Sequence, residues 1–150
     1  MKHILKKPVV LLIADDDEED RKMTREAFEE NFVLHEIHLV VDGLELIDYL
    51  FRRGVYADPE RSPRPGLILL DLNMPRMDGR QALEQIKSNP DLRSIPVVIL
   101  TTSHAEEDII RSYNLGVNCF INKPVTFKDF IEVTQSLGRY WFEVVQLPSP

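Results

Sequence analysis

Apolar residues in this chain fall into short unbroken runs separated by longer stretches with helical spacing. Wholly apolar runs occur at Val9 to Ala14, Leu67 to Leu70 and Val97 to Leu100. Runs without polar alternation suit strands buried on both faces, and such strands belong to parallel sheets. His35 to Val41 (HEIHLVV) alternates more, and Val117 to Ile121 is short and rich in strand formers, so these supply two further strands. Between the runs, a helix over Glu18 to Glu30 turns Met23, Ala27 and Phe28 inward, and one over Leu44 to Arg53 turns Leu46, Ile47, Leu50 and Phe51 inward. Arg80 to Ser88, Ala105 to Leu115 and Thr126 to Phe142 complete five strand-then-helix units. That alternation predicts right-handed crossovers and an α/β fold, with a doubly wound parallel sheet of five strands.

Local chemistry marks several boundaries. Asp42-Gly43 predicts a turn, Gly116 after Leu115 a helix stop, and Thr126 with Asp129 a variant of the capping box. Gly54 to Gly66 (GVYADPERSPRPG) holds three prolines and predicts a long loop before the third strand. An ordinary surface insertion is the expectation there, with contact to a partner as the alternative. Beyond Gly138 the chain runs on as RYWFEVVQLPSP. Its Tyr140, Trp141, Phe142, Val144, Val145 and Leu147 exceed what one amphipathic helix needs for docking, which points to a partner surface. Folding of this tail onto its own sheet is the alternative.

Length and composition narrow the classes. With 150 residues, 43% hydrophobic and 29% charged, the chain suits one folded domain over 1–150, with a core over about 8–138 and an extension over 139–150. A second, DNA-binding domain has no room. A net charge of -7 argues against a broad surface for nucleic-acid phosphates. The apolar run near the N-terminus stops at an acidic cluster, too soon for a signal peptide or a membrane span. Cys119 is the one cysteine, which excludes an intrachain disulfide and fits a reducing, cytoplasmic setting.

In a doubly wound sheet, ligands bind at the carboxyl edge of the strands. The first predicted strand ends in Asp15-Asp16-Asp17, the third in Asp71, the fourth in Thr101-Thr102, and the fifth leads to Lys123-Pro124. Carboxylates gathered in one cleft repel each other unless a cation neutralises them, and hard oxygen ligands select Mg²⁺. Asp15, Asp16 and Asp71 are the candidate metal ligands, with the backbone carbonyl of Asn73 beside them. Lys123 and the Thr101 hydroxyl suit phosphoryl oxygens, which leaves Asp71 as the nucleophile of an acyl-phosphate reaction. Taken singly, each residue has a plainer account: Asp15 to Asp20 as a helix cap, Asp71 and Lys123 as turn residues. Jointly they do not, because stability asks for no such set on successive inner strand ends. Histidines 3, 35, 38 and 104 show no ligand spacing, and Ser62, Ser103 and Ser112 no nucleophile context.

These motifs resemble the response-regulator receiver family over nearly the whole chain. LLIADDDEED is similar to that family's acidic pair, LILLDLNMPRMDG to its phosphoacceptor strand and loop, PVVILTTS to its hydroxyl-bearing strand, and FINKPV to its Lys-Pro turn. The resemblance implies a flavodoxin-like (βα)5 fold with strand order 2-1-3-4-5. It implies that Asp15 and Asp16 hold Mg²⁺, that Asp71 is phosphorylated, and that Thr101 and Lys123 contact the phosphoryl group. Phe120 falls where the family has its aromatic switch residue, so Thr101 and Phe120 are the expected switch pair, acting on the face of the fourth helix, fifth strand and fifth helix. The implied partner is a histidine kinase or a histidine phosphotransfer protein, and the implied behaviour is that of a switch, not of a turnover enzyme. The acidic start, the long insertion and the aromatic tail resemble the small stand-alone receivers that serve phytochrome-type kinases, many of them homodimers. Thr102 stands where many members have a smaller residue, and Phe120 where many have tyrosine.

Three rival readings share parts of this pattern. A haloacid-dehalogenase-like phosphohydrolase needs Asp-x-Asp at the nucleophile, whereas here the sequence is Asp71-Leu72-Asn73, without that second acid. A flavin carrier of the flavodoxin type needs a phosphate loop where this chain places acids. A receiver-like dimeric scaffold that works without phosphorylation is disfavoured because all four chemical positions are filled.

Overall fold

The computed structural model describes residues 3–4, 9–33, 36–103 and 105–144. Five parallel strands form its main sheet: β1 (Val10–Ala14), β2 (Glu36–Val40), β3 (Leu67–Leu70), β4 (Val97–Thr101) and β5 (Cys119–Asn122). They lie in the order β2-β1-β3-β4-β5, so the chain runs outward on one side of β1 and then reverses across it. Crossovers are made by α1 (Glu18–Asn31), α2 (Gly43–Phe51), α3 (Gly79–Ser88) and α4 (Glu106–Leu115), and α5 (Phe127–Gly138) closes the last unit. His3–Ile4 and Phe32–Val33 add a short parallel bridge. The predicted architecture and strand order are the observed ones.

Burial explains why the central runs carry no polar residue. Leu67, Ile68, Leu69 and Leu70 are all buried, since their side chains alternate between a layer of α2 and α3 and a layer of α1 and α5. Each such aliphatic side chain contributes about 2 kcal/mol when removed from water. Ile68 and Leu70 pack with Leu46, Leu50, Leu83 and Ile86, while Leu67 and Leu69 pack with Phe28, Phe32 and Leu137.

Several boundaries differ from the sequence expectation, each for a local reason. Asp42-Gly43 is not a free turn: Asp42 caps α2 by accepting from the Glu45 N–H at 2.8 Å, and the helix starts at Gly43. Thr126 caps α5 through the Asp129 N–H at 3.2 Å, and a reciprocal box forms at Asp78 and Gln81. The helix stop at Gly116 holds, with the glycine in the left-handed region at φ 99°. The last helix does not continue unchanged to Phe142; it gives way after Gly138 to a π-helical turn over Arg139–Val144. On α1 the fully buried polar position is Thr24, whose hydroxyl donates to the Asp20 carbonyl, while Met23 is half-buried. Tyr49 is a core residue missed by the inward set read for α2.

The loop before β3 is tied down. It opens with a short 3₁₀ turn over Gly54–Tyr56, and the buried Ser62 hydroxyl donates to the Tyr56 carbonyl at 2.9 Å. Tyr49 donates its hydroxyl to the Pro63 carbonyl at 2.6 Å, and Arg64 donates to the Leu50 carbonyl. In the tail, Trp141 is 6% exposed and Phe142 packs edge-on against Phe32, with centroids 5.4 Å apart. Those two rings therefore complete the core on the α1–α5 side, while Tyr140 stays 53% exposed. Val145, Leu147, His35 and His104 lie outside the described residues.

A phosphoryl-type site at the carboxyl edge of the sheet

Strand ends bring the expected groups together. Asp15 follows β1 directly, and its N–H donates to the Val40 carbonyl, so the sheet ladder sets its place. Asp71 follows β3, with its N–H donating to the Ala14 carbonyl. Thr101 is the last residue of β4, and Lys123 follows β5 with its N–H donating to the Thr101 carbonyl. Four side chains from four strands thus share one edge because parallel strands end in register there.

Asp71 sits at the centre. Its Oδ1 accepts the Thr101 hydroxyl at 2.7 Å and the Asn73 N–H at 3.2 Å. Its Oδ2 faces the Lys123 ammonium at 2.8 Å. Lys123 also meets Asp15 at 2.7 Å and Asp20 at 2.8 Å, and its side chain is only 5% exposed. Burial works against the Lys123 charge, but the hydrogen bonds to Asp15, Asp20 and Asp71 outweigh it and hold the ammonium above the usual lysine range. Burial is the largest influence on Asp15 and pushes its carboxyl up to about 6, against the pull of Lys123 and of the Asp17 N–H.

Asp15, Asp16 and Asp71 can each offer an oxygen, all within 4.8 Å of one another. Such a set fits a small hard cation, which would relieve the crowding that Lys123 relieves here. Asn73 lies on the exposed loop after Asp71, where its backbone faces the same carboxylate. Phe120 lies on β5, half-buried against the core, and its N–H donates to the Tyr113 hydroxyl at 3.2 Å.

The loop between Asp71 and α3 is shaped by contacts that the sequence did not announce. Gly79 sits so close that a Cβ there would stand 2.2 Å from the Asp71 carbonyl oxygen, which explains a glycine after Asp78. Arg76 adopts the left-handed region at φ 64°, unusual for a residue with a Cβ. Its guanidinium grips Asp42 through two bonds of 2.7 and 3.2 Å; burial is the largest single influence on the Asp42 carboxyl and raises it, but Arg76 together with the Glu45 and Leu44 N–H groups holds it below its ordinary range. Arg80 forks onto Asp108 at 2.7 and 2.6 Å, and Asp108 also accepts the Ser103 hydroxyl at 2.7 Å. A polar chain therefore runs from Asp71 through Thr101, Ser103 and Asp108 to Arg80. Asp20, which the sequence offers only as part of the acidic cap of α1, is brought to Lys123 by the fold across 103 positions, and no local signal marks the pair.

Comparison with known proteins agrees with this geometry. The family model of the response regulator receiver domain matches residues 11–135. Response regulator Rcp1 of Synechocystis sp. is 45% identical over 142 residues, 95% of each chain. The crystal structure of the Mn²⁺-bound form of Rcp1 superposes with a TM-score of 0.86, covering 95% of this chain and all of that one. A crystal structure of the phosphorylated cyanobacterial phytochrome response regulator RcpA, 40% identical, gives 0.89 over 95% of this chain and 100% of that one.

Proposed function

The chain belongs to the response-regulator receiver family, and from that membership we propose that it accepts a phosphoryl group on Asp71 from the phosphohistidine of a phytochrome-type histidine kinase, with Mg²⁺ as its cation. The carrying observation is that Asp71 holds the Thr101 hydroxyl on one oxygen and the Lys123 ammonium on the other. Those two donors are what a phosphoryl group on Asp71 would need for its own oxygens. The Asp71 oxygen attacks phosphorus, the phosphorus–nitrogen bond breaks, and the imidazole leaves with the electron pair and takes up a proton. Asp15, Asp16 and Asp71 would hold the cation, joined by the Asn73 carbonyl, and when bound it would offset the carboxylate and phosphoryl charge. In the product, Thr101 and Lys123 turn their donors to the phosphoryl oxygens. Movement of Thr101 opens space into which Phe120 turns, altering the face of α4, β5 and α5.

The phytochrome link rests on the likeness to RcpA across nearly all of both chains. The reading includes a homodimer and a cytoplasmic setting, the latter supported by a single cysteine in the sequence. Intact mass after incubation with Mg²⁺ and acetyl phosphate tests the acceptor. The native chain gains one phosphoryl group and Asp71→Asn gains none; label retained in that variant would move the acceptor elsewhere.

A further inference from the structure

Lys123 offers three N–H donors, and three carboxylates take them at 2.7, 2.8 and 2.8 Å. Two of these partners, Asp15 and Asp71, belong to the trio whose oxygens lie close enough to share a cation. In the proposed reaction both would loosen their hold on Lys123, since a bound cation would neutralise them and phosphorylation would turn the Asp71 carboxylate into an acyl phosphate, a mixed anhydride. Asp20 is not in that trio. Its side chain is 28% exposed against 5% for Asp15 and Asp71, so it meets the ammonium from the solvent side.

We propose that Asp20 is a positioning residue for phosphoryl transfer, a tether that keeps the Lys123 ammonium at the site while Asp15 and Asp71 release it. The inference rests on the reading of Asp71 as phosphoacceptor. Asp20 is well placed for the task because its own backbone is fixed: its N–H donates to Asp17 Oδ1 at 2.9 Å and its carbonyl accepts the Thr24 hydroxyl at 2.8 Å. One anchored donor leaves two free for phosphoryl oxygens. Without the anchor, the flexible stem of Lys123 must be ordered anew at each transfer.

The test measures initial rates of phosphorylation by phosphoramidate, read by intact mass over a Mg²⁺ titration. The variants are Asp20→Ala, Asp20→Glu, Lys123→Ala and the Asp20→Ala/Lys123→Ala double. Loss of an orienting group predicts a rate about tenfold lower in Asp20→Ala, with most of it restored in Asp20→Glu. Half-saturating Mg²⁺ stays where it is in the native chain. In the Lys123→Ala background, removing Asp20 changes the rate less than about twofold, because the two residues act as one unit. A native rate in Asp20→Ala, an equal loss in both backgrounds, or a shifted Mg²⁺ requirement would each overturn the tether. Absence of uptake on Asp71 in the native chain would instead remove the underlying reading, and the tether with it.

Discussion

Asp71 keeps its two oxygens in different company, a hydroxyl and an amide on Oδ1 and an ammonium on Oδ2. That division leaves Oδ2 facing a charge and Oδ1 facing neutral donors, and in the proposed reaction both the Thr101 and the Lys123 contacts would pass to the phosphoryl oxygens. Asp108 shows the opposite design. The Arg80 fork, with help from Ser103, brings its carboxyl from the ordinary 3.8 down to about 2, against burial. A carboxyl with a lower pKa folded than unfolded stabilises the fold above its unfolded value, and that contribution fades as pH falls toward 2. Asp108→Asn should therefore cost about 1–2 kcal/mol at pH 7, a figure discounted because part of the pair meets solvent. The gap in urea midpoint between variant and native chain should narrow by about half at pH 3; a gap independent of pH would assign the loss to packing.

Among the elements, α5 and the π-helical turn after it show how one small residue decides a packing. A Cβ on Gly138 would stand 2.0 Å from the buried Phe32 ring, and that ring packs edge-on against Phe142. The helix can approach the α1 side only because position 138 lacks a side chain, and the approach lets Trp141 and Phe142 reach the core. Gly138→Ala should destabilise by about 1–3 kcal/mol through overpacking, despite the better helix propensity of alanine. The expected reading is a lower urea midpoint with an unchanged slope. An unaffected midpoint would mean that Phe32 moves aside freely.

For the whole molecule, the sheet edge at β5 is where the proposed second copy would sit. Tyr140 is exposed there and stands edge-on to the buried Trp141, with centroids 5.2 Å apart. Beside it runs a groove lined by Cys119, Ile121, Val133, Leu137 and Trp141. A two-fold contact would place this patch against its own copy, and a stable one buries upward of about 1,200 Å². Tyr140→Asp should then halve the sedimenting mass while sparing phosphorylation, whose proposed site lies at the carboxyl edge. A native-like mass in the variant would place the dimer contact on another face. Since Trp141 and Phe142 serve the core, truncation after Gly138 would confuse this test by unfolding the chain.

Much was legible in the residues themselves. The runs LILL and VVIL announced buried parallel strands because only a two-sided core accepts four apolar residues in succession, and the strand ends carrying Asp15, Asp71, Thr101 and Lys123 announced that these groups would meet at the carboxyl edge. These signals are local and periodic. The pairs Asp20 with Lys123, Arg76 with Asp42 and Arg80 with Asp108 join residues 103, 34 and 28 positions apart. No spacing rule reaches across such distances, so folding alone decides which charges meet. The tail is the sharpest case: its apolar excess was visible in sequence, but whether an aromatic ring faces its own core or solvent depends on the closeness of α5 to Phe32, which Gly138 permits and only tertiary packing determines.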